Sequence, residues 1–400
     1  MTAMATPHLT ILPGNPDFLD LPWNEPLSTW DSPRVVELPT GVHRHVVRFV
    51  AYGERVYAVK ELPARIARHE FESLRELESR KAPVVAAAGL VERAWVDPSE
   101  EWSGAVITRY LDFAFSYREL ISAGGFGQRR NQLLDGLAGL LVELHLLGCF
   151  WGDCSLSNVL YRYDAAMLDI TMVDGETVEL HDSLSAGQRR SDLDIMVVNV
   201  AGGMADIAAE QGAEIDDADL FLGEDIAGRY AGLWDELNRE FLIGPDEGYL
   251  ITERVVRLNA LGFEVGEVEL EPVEDGRRLR LKVEVGGRGY HRHRLSHLTR
   301  IGATENQARQ ILADLRYHEA KHIGSAANKA VAAIQWRVGT FEPLLKAIGD
   351  LLGRDGDPVQ KYCDFLHHRY IMSFDQGRDV PNEEAFADWV SSGMQGPPPG

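Results

Sequence analysis

Trp151-Gly152-Asp153-Cys154-Ser155-Leu156-Ser157-Asn158 follows directly on a leucine-rich stretch, and its reading decides the fold. From Gln128 to Leu147, Leu133, Leu137, Leu140, Leu141, Leu144 and Leu147 recur at helical spacing, which predicts a helix with one buried face. Gly148 closes it, as a helix C-terminus prefers. The octet therefore begins where a long helix stops, and it sets Asp153 and Asn158 five residues apart. Phosphoryl transfer uses such a pair, the Asp to orient a substrate hydroxyl and the Asn to reach a metal ion on the phosphates. Alone, this spacing turns up by chance, so its weight depends on what flanks it.

Two other segments stand in the order this chemistry needs. Val56-Tyr57-Ala58-Val59-Lys60 reads as a strand ending in lysine. Taken alone, a lysine reaching past a sheet edge into water is the commoner reading. Buried, its ammonium would need an anionic partner. Glu70, Glu72 and Glu76 on the next helical segment are the candidates, and Glu70, beside the apolar Phe71, is the favoured one. Met172-Val173-Asp174-Gly175-Glu176 carries an apolar strand into Asp174, where a second magnesium-binding oxygen belongs. An Asp-Gly turn is the commoner reading of that pentapeptide by itself. It is the ordered coincidence of the three that carries the argument.

The flanking pattern agrees. Strands are expected over Arg34–Leu38, Val46–Tyr52, Arg55–Leu62, Leu90–Val96 and Ala105–Tyr110, with a helix over Ala64–Arg80 after the third of them. Gly53-Glu54 reads as a tight hairpin turn, and Val159–Tyr163 with Met167–Val173 as a second hairpin. A helix is expected from Asp192 to Gln211, weakened by Gly202-Gly203, and then an acidic helical face from Asp206 to Glu240. Gly244-Pro245-Asp246-Glu247-Gly248 marks a domain boundary. Beyond it come a helix over Tyr249–Ala260, a hairpin of Phe263–Val273 and Leu279–Val285 around Glu274-Asp275-Gly276, and helices over Thr304–His322, Ala326–Leu352 and Pro358–Met372.

On these motifs, residues 34 to 211 resemble the lipopolysaccharide-core (Kdo-type) kinases of the protein-kinase-like superfamily. The whole chain is similar to a family of actinobacterial proteins that joins such a domain to a C-terminal region of unknown function. The resemblance implies an α+β chain with a two-lobed protein-kinase-like fold followed by a smaller α/β C-terminal domain. The expected division is an extended leader over 1–33, an N-lobe over 34–110, a helical C-lobe over 111–243, a C-terminal domain over 244–390 and a disordered tail over 391–400. Lys60 would bind the phosphates of ATP with Glu70 as its partner. Asp153 would be the catalytic base, and Asn158 and Asp174 would hold Mg2+. Thr108 and Tyr110, in the hinge Thr108-Arg109-Tyr110-Leu111, would offer backbone groups to adenine. Asp192 or Asp194 would buttress the catalytic loop.

Some positions depart from that pattern. No G-x-G-x-x-G precedes Lys60; Thr40-Gly41-Val42-His43-Arg44 occupies the turn. Trp151 and Gly152 stand in place of the usual His and Arg, and Gly175-Glu176 in place of Phe-Gly. Glu176 would either add a carboxylate near the metal or face solvent. The segment from Asp174 to Asp192 is short and lacks an Ala-Pro-Glu marker, which points to a small molecule, sugar or lipid head group as acceptor.

Composition bounds the rest. A net charge of −22 argues against general nucleic-acid or anionic-membrane affinity. No apolar run reaches transmembrane length, no secretory signal opens the chain, and Cys149, Cys154 and Cys363 form no C-x-x-C pair, so a reduced, cytoplasmic protein is expected. Cys154 as a nucleophile is the weaker reading, with no His near it in sequence. Tyr290-His291-Arg292-His293-Arg294-Leu295-Ser296-His297 reads as a basic surface patch rather than a zinc site, and Gly286-Gly287-Arg288-Gly289 as a loop. The expected function is an ATP- and magnesium-dependent phosphotransferase acting on a hydroxyl. The alternatives are a pseudokinase scaffold that binds a protein partner through its C-terminal domain, and a transferase of another part of the nucleotide, such as AMP.

Overall fold

The computed structural model describes residues 6–38, 44–121, 127–212, 214–244, 246–273, 278–322, 329–353 and 356–396. The Thr40–His43 part of the turn before Lys60, Pro245, the Glu274-Asp275-Gly276 turn and the Pro397–Gly400 tail lie outside them. The chain forms two compact units: residues 1–125, 137–161 and 170–231, and residues 126–136, 162–169 and 232–400.

The first unit opens with β1 (His8–Ile11), β2 (Val35–Val36), β3 (Val47–Tyr52), β4 (Arg55–Leu62), helix α1 (Ala64–Ser79), β5 (Ala87–Glu92) and β6 (Gly104–Arg109). The six strands form one antiparallel sheet in the order β1-β5-β6-β4-β3-β2. Side chains alternate along β4, so Tyr57 and Val59 bury on one face and Leu62 on the other, with Lys60 on the same face as Leu62. The first face is covered by Phe18, Leu21, Trp23, Leu27 and Trp30. The Pro-rich leader thus packs through Trp23 and Trp30, which meet edge to face at 5.0 Å, and also supplies β1 as an edge strand. The second face is covered by Ala67, Phe71 and Leu74 of α1, and Glu70 is buried on that same helix face.

β5 starts and ends earlier than the alternation around Leu90–Val96 predicts. Beyond Glu92 the Arg93 N–H still bonds the Ser103 carbonyl at 2.8 Å, while its buried guanidinium pairs with Glu61 at 3.1 Å and donates to the Trp23 carbonyl at 2.7 Å.

Next come α2 (Tyr117–Leu120), α3 (Arg130–Leu146), β7 (Cys149–Phe150), the hairpin of β8 (Val159–Asp164) and β9 (Met167–Met172), β10 (Glu179–Leu180) and α4 (Ala186–Gln211). Gly148, at φ +75°, lets β7 lie against β10; a Cβ there would come 2.1 Å from the His181 carbonyl oxygen. α4 begins six residues before Asp192, because Ser185 and Gln188 form a reciprocal capping box. Gly202-Gly203 do not interrupt it, since Met196, Val200, Met204 and Ile207 anchor one face on either side. The short α5 (Asp217–Leu220) and α6 (Leu222–Asn238) carry most of the acidic stretch.

The second unit contains β11 (Phe241–Ile243), α7 (Tyr249–Ala260), β12 (Phe263–Val273), β13 (Arg278–Arg288) and helices α8 (Tyr290–Thr299), α9 (Glu305–His322), α10 (Lys329–Trp336), α11 (Glu342–Leu352), α12 (Pro358–Gln376) and α13 (Asn382–Ser391). A π-helical turn, Arg337–Phe341, joins α10 to α11. The strands form a sheet in the order β11-β13-β12. Gly286-Gly287-Arg288 continues β13 rather than forming a loop, because Arg288 pairs with Phe263 beyond a register shift. The helices pack around Leu295, Ile311, Trp336, Phe341, Tyr362, Phe365 and Trp389.

Two histidines of the expected basic patch face carboxylates: His291 is buried with its Nδ1 2.7 Å from Glu305, and His293 lies 2.5 Å from Glu264. The hairpin tip, residues 162–169, belongs to this unit. Asp164 there is buried, and it accepts the backbone N–H groups of Asn306 at 3.0 Å and Gln307 at 2.6 Å, together with the Thr304 hydroxyl at 2.6 Å. An aspartate some 140 positions away in sequence thus shares the capping of α9 with the local Thr304–Gln307 pair. Among the described residues no helix is long and apolar enough to cross a membrane.

Candidate active site

Lys60 is the hub of the site. Its Nζ lies 3.3 Å from Glu70 Oε1, 3.0 Å from Asp174 Oδ2 and 2.6 Å from Glu176 Oε1. The partners arrive from two elements: α1 turns Glu70 inward with Phe71 and Leu74, and the loop after β9 supplies both Asp174 and Glu176. Of the three glutamates considered on α1, Glu70 is the one that meets the lysine. Burial disfavours the Lys60 charge, but the three carboxylates outweigh it and hold the ammonium above its ordinary pKa. Burial pushes Glu70 the other way, up to about 8, although Lys60 draws it down. Glu176 does not face solvent; it belongs to the lysine cluster.

The loop after α3 forms the second part. Asp153 is gripped at both oxygens: Asn158 donates its side-chain N–H to Oδ2 at 3.1 Å, and Asn199 of α4 donates to Oδ1 at 2.8 Å. Burial raises the pKa of Asp153, and the two amide bonds partly offset that. Asn158 also donates to the Asp153 carbonyl at 2.9 Å, which leaves its amide oxygen as the end to offer a metal. The Val173 N–H bonds the Asn158 carbonyl at 3.0 Å, setting Asn158 beside the strand end that carries Asp174. Among the described residues no three His, Cys, Asp or Glu side chains gather into a metal cluster. One amide and one carboxylate oxygen nonetheless suit magnesium, which keeps waters and takes phosphate oxygens for its remaining positions.

Beneath the loop, Asp192 is fully buried and accepts the backbone N–H groups of Trp151 and Gly152, each at 2.8 Å. His145 Nε2 lies 3.0 Å from the same carboxylate, and its Nδ1 lies 2.7 Å from the Tyr230 hydroxyl. Of the two aspartates considered for this place, Asp192 occupies it. Trp151 ties the loop to the next segment, its indole N–H donating to the Asp174 carbonyl at 3.1 Å and its own carbonyl accepting from Thr177 at 2.7 Å. Cys154 is buried, and desolvation holds its thiol pKa far up, so it is no thiolate nucleophile.

Thr108 lies within the sheet, paired with Ala58 and Ala87, and the Tyr110 N–H donates to the Val56 carbonyl at 3.0 Å. That amide is engaged within the chain rather than presented to a base.

Sequence reasoning missed Asn199, His145 and His45. Asn199 follows Asp192 by two helical turns and so shares its face, a signal that could have found it. His45 places its Nε2 3.2 Å from Glu176, and no local pattern announces that contact.

Residues 44–209 match the lipopolysaccharide kinase (Kdo/WaaP) family, and residues 232–394 match a domain of unknown function, DUF4032. Similar solved structures include WaaP in complex with acyl carrier protein, at 16% identity over 57% of this chain and 88% of that one, with a TM-score of 0.34. Another is an aminoglycoside-3'-phosphotransferase of type VIII, at 15% identity over 49% of this chain and 93% of that one, with a TM-score of 0.31. No curated protein matches the chain. The chain thus joins a segment that matches the lipopolysaccharide kinase (Kdo/WaaP) family, residues 44–209, to one that matches DUF4032, residues 232–394.

Proposed function

We propose that this protein transfers the γ-phosphoryl group of ATP to a hydroxyl of a small molecule, sugar or lipid head group. The observation that carries the reading is the convergence of Glu70, Asp174 and Glu176 on Lys60, in a chain whose Asp153 is held at both carboxylate oxygens. In this reading Lys60 binds phosphate oxygens, steadied by Glu70, and Asn158 and Asp174 hold magnesium. The ion, when bound, neutralises phosphate charge. Asp153 orients the acceptor hydroxyl and takes its proton as the new O–P bond forms and ADP leaves. The short span from Asp174 to α4 supports a small acceptor over a docked peptide. The three free, buried cysteines fit a reducing, cytoplasmic setting.

The test is an acceptor screen with Asp153→Asn as control, which should abolish turnover while leaving thermal unfolding unchanged. Undiminished turnover in that variant would sink the assignment. One observation favours a pseudokinase instead: Glu176 already neutralises Lys60 at 2.6 Å. Calorimetry with ATP, with and without magnesium, separates the two. Magnesium-dependent binding lost in Asp174→Ala supports the enzyme, and no binding at all supports the scaffold.

A further inference from the structure

Glu176 sits where two nitrogen-bearing side chains converge. Its Oε1 lies 2.6 Å from Lys60 Nζ and 3.2 Å from His45 Nε2. The His45 side chain is only 7% exposed, and its other nitrogen, Nδ1, is held 2.7 Å from Glu101 Oε2. Glu176 Oε1 and His45 Nε2 are both shut off from solvent, so the carboxylate is held there by the Lys60 ammonium with the His45 ring beside it. An ammonium and a ring nitrogen that converge on one carboxylate oxygen mark a place fitted to an anion.

The sheet explains the pairing. Val47 of β3 lies opposite Lys60 of β4, and the Glu61 N–H continues the ladder to the Val46 carbonyl at 3.0 Å. His45 stands two positions before Val47, on the same face, so the register delivers its ring to the lysine. Of the two glutamates on Lys60, Glu176 is the one placed to leave. Glu70 is buried in the α1 face, whereas Glu176 is fixed at its backbone, its N–H bonding Asp174 Oδ1 at 3.0 Å, and has a side chain with three rotatable bonds.

We propose that His45 and Lys60 form the phosphate clamp of this cleft, and that Glu176 is the chain's own anion within it, displaced when the phosphates of a nucleotide arrive. This rests on the ATP reading above. The clamp does with two side chains what a glycine-rich turn does with backbone N–H groups, and no G-x-G-x-x-G precedes Lys60. Exchanging a carboxylate for a phosphate oxygen keeps an anion on the buried lysine at every stage.

The experiment is calorimetric titration of the full chain with magnesium-ATP and, separately, with inorganic tripolyphosphate. Glu176→Gln, which removes the competing charge, should tighten both ligands by about tenfold, and His45→Ala should weaken both by about tenfold, the effect of one charge-assisted hydrogen bond. The opposite signs matter, because simple damage to the fold would weaken binding in both variants. Weaker ATP binding in Glu176→Gln would overturn the proposal and make Glu176 a metal ligand. Unchanged binding in His45→Ala would overturn the clamp. If wild type binds tripolyphosphate through His45 but not ATP, the clamp stands and the ATP reading falls. If it binds neither, both fall.

Discussion

Asn199 reaches back across 46 residues to place its side-chain N–H 2.8 Å from Oδ1 of Asp153, the oxygen that Asn158 leaves unheld. The same α4 helix, two turns earlier, supports the loop from below through Asp192. One rigid helix therefore sets both the height of the loop and the rotation of its carboxylate.

Asn199→Ala should lower kcat by roughly ten- to a hundredfold with little change in the KM for ATP, as expected when a positioned acid–base group is loosened. The Asn199 bond opposes the burial that raises the Asp153 pKa. Removing it raises that pKa further, so the acid limb of the pH–kcat profile should move to higher pH. An unmoved limb with a normal kcat would leave Asn199 a spectator.

Asp192→Ala should destabilise the protein by about 3 kcal/mol, because it leaves the buried Trp151 N–H, the half-buried Gly152 N–H and a histidine nitrogen without an acceptor. Urea denaturation measures this. Asp192→Asn keeps an acceptor oxygen and should lose less.

Glu70 makes stability depend on pH. Burial raises its folded-state pKa from 4.5 to about 8, so the folded protein holds that proton more tightly than the unfolded chain. The associated stability is fully present below about pH 4.5 and is lost as pH rises through about 8. Glu70→Gln cannot ionise. The stability of wild type relative to this variant should therefore fall from pH 5 to pH 8 in denaturant titrations, and a flat difference would contradict the shift.

Gly148→Ala combines a left-handed backbone with a Cβ only 2.1 Å from the His181 carbonyl oxygen. It should cost more than about 2 kcal/mol and lower the Tm accordingly. Gly53→Ala, at φ +64° with nothing within 4 Å, should cost about 1 kcal/mol and serves as the control.

What was legible in the sequence is what local periodicity encodes. Alternation along β4 sets the face of Lys60, helical spacing along α1 turns Glu70 toward the core, and the leucines of α3 lead straight to Asp153. The start of α4 was placed too late, at Asp192, although Ser185 and Gln188 stand at capping-box spacing. The remainder depends on long-range register. His45 meets Glu176 only because β3 pairs with β4 opposite Lys60, and β1 completes the sheet by pairing its His8 with Glu92. Arg93, just past β5, finds its side-chain partners at Trp23 and Glu61, far from it in the chain.

Asp164 carries a practical consequence for anyone cutting this gene. The matched segments suggest a clean cut in the interval between residues 209 and 232. A fragment expressed from residue 232 onward would lack Asp164 and present the first turn of α9 with bare N–H groups. It would also lack the backbone of Ala165, which exchanges hydrogen bonds with Gln360 at 2.8 and 3.0 Å. Such a product should be soluble only with residues 162–169 restored, so fragments carrying the DUF4032 portion are better designed around the hairpin than around the sequence match.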